Sequence, residues 1–198
     1  MKTWNFRSPG IPDEEFIRGE IPMSKEELRT VTIAKLRPKN DSIICDIGAG
    51  TGSLSIEAAL LASEGKVYAV ERKKAGVQLI KENMKKFELN NINILEKEAP
   101  EGLSSLPMLD RVIIGGSGGK LKEILKIIDK KLKNTGRLVI NAITINTLSI
   151  AIEVLEEMNY SLEIVNIAVT RTNKVANYHM FKGMNPVYII SAEKGGRR

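Results

Sequence analysis

The chain has 198 residues, 42% apolar and 27% charged, with a formal net charge of +6 and a single cysteine. That is length enough for one domain with a sizeable core, in the composition of an ordinary globular protein, and one cysteine excludes an internal disulfide. No stretch approaches the roughly 20 consecutive apolar residues of a membrane span, and the opening MKTWNFRSPGIPDEEF lacks a signal-peptide core, so a cytoplasmic protein is expected.

In chain order, PMSKEELRTVTIAKLRP reads as a helix: Ser24 and Glu27 stand at capping-box spacing, and Pro38 closes it. SIICD runs apolar without alternation, the pattern of a strand buried on both faces, which makes Cys45 a buried, inert thiol. SLSIEAALLASEG follows as a helix with Gly65 suited to its C-terminal cap. KVYAVE is the second strand, KKAGVQLIKENMKKFEL a helix, and INILE the third strand. RVIIGG is the fourth, KLKEILKIIDKKLK a helix ended by Asn134-Thr135-Gly136, and RLVINAI the fifth. TLSIAIEVLEEMNY is the last clear helix.

Beyond it, SLEIVNIAVTRT and PVYIISAE are two strand patterns with no helix between them, which predicts an antiparallel hairpin. The intervening NKVANYHMFKGMN is too polar and irregular for a helix of its own. The expected fold class is α/β: a doubly wound, mostly parallel seven-stranded sheet with a C-terminal antiparallel hairpin. No repeat or linker splits the chain, so residues 1–198 form one domain. The net charge suits an acidic partner, nucleic acid or a small polycarboxylate, or nothing more than a lysine-rich surface. The tail EKGGRR is too short for a nucleic-acid arm, and no Cys/His spacing suggests a metal site.

The strongest motif is DIGAGTG, Asp46 to Gly52, where the first strand turns into a helix. A dinucleotide fingerprint needs G-x-G-x-x-G, but counting from Gly48 gives Gly50 and then Ser53. The spacing instead resembles motif I of the Rossmann-like S-adenosylmethionine (SAM) methyltransferases. That resemblance implies SAM as cofactor, with Asp46 helping to place its ammonium and Gly48, Ala49, Gly50, Thr51 and Gly52 lying close against it. Glu71 ends KVYAVE about twenty residues beyond the loop, where a carboxylate accepts both ribose hydroxyls. EKEAPEGL resembles the adenine-edge motif, Glu98 facing the adenine amine and Ala99 offering its amide, although many relatives carry Gly-Asp in place of Lys97-Glu98.

The fourth strand empties into Gly115-Gly116-Ser117-Gly118-Gly119, where many amine-methylating enzymes carry an Asn/Asp-Pro-Pro-aromatic motif. GGSGG, with IPDEEFIRGEIPMSKEELR, DIGAGTG, EAPEGL and NYHMFKGMNPVYII, resembles the CbiT family, the decarboxylating C-15 methyltransferases of cobalt-precorrin-6B in cobalamin biosynthesis. The resemblance runs from Gly10 to about Ala192. It implies methyl transfer from SAM to a cobalt-containing tetrapyrrole, with residues 1–40 over the cofactor site and 161–198 as the terminal hairpin. Ser24, where relatives often have Thr, then lies against the cofactor.

It also implies a homotetramer, in which residues 173–185 bury Met180 and Phe181 between subunits, and a C-5 precorrin methyltransferase as possible partner. A broad macrocycle needs a flat wall beside the sulfonium, which makes Gly115 to Gly119 the substrate-binding wall. Ser117 either caps the following helix or binds a substrate carboxylate. Ser117, Arg171, His179 and Lys182 are candidate proton donors or carboxylate partners, and no catalytic residue is assigned. The alternatives are a tRNA adenine-N1 or other nucleic-acid methyltransferase, against which stand 5% aromatic residues and no RNA-binding appendage, and a non-catalytic SAM-binding scaffold, against which stands the intact motif.

Overall fold

The computed structural model describes residues 4, 6 and 8–195; the end of the basic tail, 196–198, lies outside them. Strand β1 (Ile43–Ile47) is buried along almost its whole length, as an apolar run without alternation requires. It pairs in parallel with β2 (Lys66–Glu71) on one side and β4 (Leu109–Ile114) on the other. With β3 (Ile92–Glu96), β5 (Leu132–Ala142), β6 (Ser161–Ile167) and β9 (Val187–Glu193), the seven-stranded sheet has the order β3-β2-β1-β4-β5-β9-β6. The five strands β1 to β5 run parallel, and β9 inserts antiparallel between β5 and β6.

The strand order reverses between β1 and β4, and in an open α/β sheet that switch point opens a crevice at the strands' carboxyl ends. The loops after β1 and β4, DIGAGTG and GGSGG, therefore meet across it. Two apolar layers hold the sheet. On one face Val112 and Ile114 pack with Leu121, Ile124, Leu125 and Ile128 of α4 (Leu121–Lys131) and with α5 (Ile145–Glu157). On the other, Ile113 and Val139 meet α1 (Glu26–Leu36), α2 (Ser53–Leu61) and α3 (Lys74–Lys86) through Ile33, Leu36, Ile56 and Ile80. The period-two alternation of β4 sends neighbouring residues to opposite layers, and each such side chain contributes about 1.5–3 kcal/mol on burial.

Four local expectations are corrected. No capping box forms: Lys25 is the N-cap of α1 without a side-chain bond, while the Ser24 carbonyl is taken by the Arg29 guanidinium. Helix α2 stops at Leu61 with Ala62 as its C-cap, and Gly65 serves a close approach, since a Cβ there would lie 2.1 Å from the Ser42 carbonyl oxygen. Asn134-Thr135-Gly136 does not end a helix. Helix α4 runs straight into β5, and the turn is absorbed as a bulge where the pairing jumps from Leu109↔Leu132 to Arg111↔Arg137. Finally, β6 and β9 pair as predicted, but the connection between them is itself a hairpin, β7 (Thr170–Val175) with β8 (Tyr178–Gly183), in a separate two-stranded sheet.

Candidate functional site

The motif loop is built on β2. The amides of Gly48 and Ala49 both donate to the Val70 carbonyl, which folds the loop over the end of the sheet. A Cβ on Gly48 would stand 2.6 Å from the Gly116 carbonyl oxygen, so the two glycine loops touch backbone to backbone. Beneath them Asp46 is almost fully buried, and Ser55 Oγ donates to its Oδ2 at 2.6 Å. Burial, with the charge of Glu71 adding to it, pushes the Asp46 carboxyl up to about 6 despite the Ser55 bond. Asp46 Oδ1 and Thr51 Oγ1 are buried with no hydrogen-bond partner, two of three such side-chain atoms among the described residues. Buried polar atoms are almost always bonded, so two orphans in one motif mark a place where a ligand or water supplies the partner.

Glu71, at the end of β2, is buried and pinned: Oε2 accepts from the Gly50 amide at 2.9 Å and Oε1 from the Lys73 amide at 2.8 Å. Gly76 in the first turn of α3 permits this, because a Cβ there would lie 2.8 Å from Glu71 Cγ. Glu71 lines a cleft of about 270 Å³ with Ile21, Pro22, Glu98, Ala99 and Gly116. Glu98 sits half-buried on its rim and is paired with Lys120 at 3.4 Å and Arg72 at 2.9 Å; the hydrogen bond from Lys120, and then Arg72, hold its carboxyl below the usual range. Sequence reading did not foresee those two cations.

The N-terminal segment that supplies Ile21 and Pro22 is fixed by buried polar groups the sequence did not reveal. Asn83 of α3, with no exposed surface, accepts from the Ile17 amide at 2.8 Å and donates to the carbonyls of Ile17 and Thr51. Arg29, also fully buried, bonds Asp13 at 2.7 Å and Glu57 at 2.9 Å and stacks on the Phe16 ring. Burial alone would raise the Asp13 carboxyl, but Arg29, Lys25 and Arg171 together hold it below the usual range. In Glu57 burial outweighs Arg29, and its carboxyl is raised.

Arg171, on β7, is a partner in this cluster. It grips Glu27 with two bonds of 2.8 and 2.6 Å and reaches Asp13 at 3.2 Å, so its charge is already matched. His179 and Lys182 are exposed on β8, opposite Lys174 and Arg171. None of these three residues lines the clefts around the glycine loops.

Ser117 lines two of these clefts, and it does not cap a helix: α4 has Lys120 as its N-cap with no side-chain bond. Gly118 and Gly119 have positive φ (58° and 84°), which their turn requires. Gly115 and Gly116 do not, and Cβ atoms there would find neighbours no nearer than 3.4 and 3.9 Å. Among the described residues nothing requires those two to be glycine. Ser24, with Thr51, Gly115 and Asn141, borders a second cleft of about 250 Å³. A third of similar volume lies in front of the whole glycine loop, with Asn141 and Thr144 in its wall. Gly115 borders all three.

The family described as precorrin methyltransferase domain matches the chain over residues 15–194. A probable cobalt-precorrin-6B C(15)-methyltransferase (decarboxylating) of Sulfurisphaera tokodaii is 44% identical over 191 residues, covering 95% of this chain and 99% of that protein. Among solved structures, a precorrin-6y C5,15-methyltransferase from Geobacter metallireducens superposes with a TM-score of 0.89 at 46% identity, over 93% of this chain and 97% of that one. A precorrin 8W decarboxylase from Methanobacterium thermoautotrophicum gives 0.87 at 32% identity, over 92% and 98%.

Proposed function

Because the chain belongs to the precorrin methyltransferase family, we propose that it transfers a methyl group from SAM to C-15 of cobalt-precorrin-6B and releases the ring C acetate carboxyl as carbon dioxide, in corrin biosynthesis. The observation that carries the placement of the two ligands is the contact between Gly48 and Gly116: a cradle with orphaned polar atoms abuts a wall left bare for no reason internal to the chain.

The residues present fit SAM. Thr51, which borders the second cleft with Ser24, offers an unpaired oxygen for its ammonium end, and the unpaired oxygen of Asp46, buried beneath the loop, acts on that end through water. The pinned Glu71 carboxylate keeps lone pairs for the ribose hydroxyls, and Glu98 and Ala99 flank the adenine edge. When bound, SAM supplies an electrophilic methyl group. The chain's part is to hold an electron-rich ring carbon in line with it, and orientation alone supplies much of the rate. Gly115 and Gly116 let the macrocycle lie close, and Ser117, just ahead of the start of α4, faces its carboxylates. In the decarboxylation the bond to the carboxyl carbon breaks, its electron pair enters the conjugated ring, and a proton completes the new methyl group. Excluding water from that carboxylate is the wall's contribution.

Residues 1–198 act as one unit, in the cytoplasm. The hairpin β7–β8 leaves Val175, Tyr178, Met180 and Phe181 exposed, a surface suited to other subunits of a homotetramer, and we assign it that role before contact with a C-5 methyltransferase. Two measurements test this. Incubation with cobalt-precorrin-6B and methyl-labelled SAM should give a product that has gained label and lost carbon dioxide; an untouched tetrapyrrole would overturn the function. Light scattering should give a tetramer for the wild type and smaller species for Phe181→Asp, whereas a wild-type monomer would end the assembly proposal.

A further inference from the structure

Asn141, half-buried near the end of β5, stands in the wall shared by the second and third clefts, and the sequence reading gave it no role. Its side-chain amide meets the hydroxyl of Thr32, a residue of α1 with no exposed surface. Which end of an amide faces a neighbour is assigned from the bonding around it. Thr32 has one hydroxyl proton. Its oxygen lies 2.6 Å from the Leu28 carbonyl oxygen, the separation of an O–H···O bond and too short for two oxygens with no proton between them. That proton is committed to Leu28. The structure sets Asn141 Oδ1 3.1 Å from that hydroxyl, where two acceptors would then meet; with the Thr32 proton committed, the amide has to be turned over so that its Nδ2–H donates there. The amide oxygen is left turned from α1, on the side of the clefts that Asn141 lines.

We propose that Asn141 is a further cofactor-positioning residue, whose side-chain oxygen, oriented by Thr32, faces the sulfonium methyl of SAM where the methyl donor and its acceptor meet. The assignment rests on the SAM reading given above, in which the second cleft takes the amino-acid end and the third takes the tetrapyrrole. Asn141 and Gly115 border both. Chemistry favours the cation over the substrate as the partner of this oxygen. The ring nitrogens of a cobalt-precorrin hold the metal and its side chains end in carboxylates, so it brings acceptors to the site and not donors. An amide oxygen repels those groups, whereas the hydrogens on a sulfonium methyl are polarised and seek an oxygen.

The test compares SAM with S-adenosylhomocysteine, which lacks the methyl group and the positive charge, by titration calorimetry without substrate. Asn141→Ala should weaken SAM binding about fivefold, the upper end for one lost C–H···O contact, and leave S-adenosylhomocysteine within about 1.5-fold. Thr32→Val frees the amide to turn and should reproduce part of that loss; Thr32→Ser keeps the hydroxyl and should keep the wild-type ratio of the two affinities. Circular dichroism checks folding, and if Asn141→Ala does not fold, the Thr32 pair decides. An unchanged ratio in Asn141→Ala, or in Thr32→Val where that pair decides, overturns the role of Asn141 alone. A wild-type protein that binds neither ligand overturns the SAM reading and this assignment with it.

Discussion

The two glycine loops that meet at the switch point are rich in glycine for different reasons. In DIGAGTG the glycines serve the chain itself: Gly48, Gly50 and Gly52 all have positive φ, and Gly48 has the Gly116 backbone where its Cβ would be. In GGSGG only Gly118 and Gly119 are required by conformation, while Gly115 and Gly116 adopt a backbone any residue accepts and have room for a side chain. A glycine the fold does not need points to something outside the fold. On the proposed function, the comparison separates a loop suited to cradle the cofactor, rigid because its own backbone is crowded, from one suited to be a substrate wall, smooth so that a ligand can lie on it.

The largest effect should come from crowding the cradle. Gly48→Ala places a methyl group 2.6 Å from the Gly116 oxygen and adds roughly 1–2 kcal/mol of left-handed backbone strain. The expected outcome is loss of measurable SAM binding in calorimetry together with a lower melting temperature. SAM bound at wild-type strength would mean that the two loops part freely, and the contrast between them would fail. Next comes Gly116→Val, where the first added carbon has space within the protein. The expectation is a fall in kcat/KM for the tetrapyrrole on the order of 100-fold, the upper end of what overpacking by a few kcal/mol gives, with the SAM affinity within about threefold of wild type. Equal losses for both ligands would show that GGSGG belongs to the cradle.

A smaller effect follows from Asp46. Its folded-state pKa, raised from 3.8 to about 6, lies above the unfolded value, so the folded state binds more protons across that window. Stability of the free protein should then fall as pH rises from about 4 to 6, and Asp46→Asn should remove that slope. Binding a cationic cofactor favours the ionised carboxyl. SAM affinity should therefore rise about tenfold between pH 5 and 6.5 in the wild type and stay flat in Asp46→Asn, read by calorimetry at each pH. A flat wild-type profile would take the ammonium away from Asp46.

Most of the sheet and the cradle were legible because their signals are local. β1 to β4 and the second half of β5 are short apolar runs, and the acidic and glycine positions sit at fixed spacing from them. The hairpin β7–β8 was not legible, because TRTNKV and YHMFKG are exposed almost throughout and so carry no alternation of apolar and polar residues. Arg29 reads as one more basic residue on a helix. Its partners Asp13 and Glu57 are 16 and 28 residues away, and only the folded chain brings them together. The ion pairs of Arg171 were hidden for the same reason: its carboxylates, Glu27 and Asp13, belong to the far end of the sequence. Asn141 was hidden because its role depends on where a single proton of Thr32 goes, which no pattern of residues records.

The smallest expected effect decides what the one side chain in GGSGG is for. Had Ser117 capped α4, Ser117→Ala would cost about 1 kcal/mol of stability, or 2–4 °C in melting temperature for a chain of this size. The helix begins instead at Lys120 without a side-chain cap, and the Ser117 hydroxyl lies in the cleft wall. Ser117→Ala should therefore melt within about 1–2 °C of wild type, as substitutions away from structural bonds do. Its kcat/KM for the tetrapyrrole should still fall about tenfold, the loss of one hydrogen bond to a carboxylate. A variant that melts lower and turns over normally would assign the serine to the fold, and the wall would then act on its ligand through backbone alone.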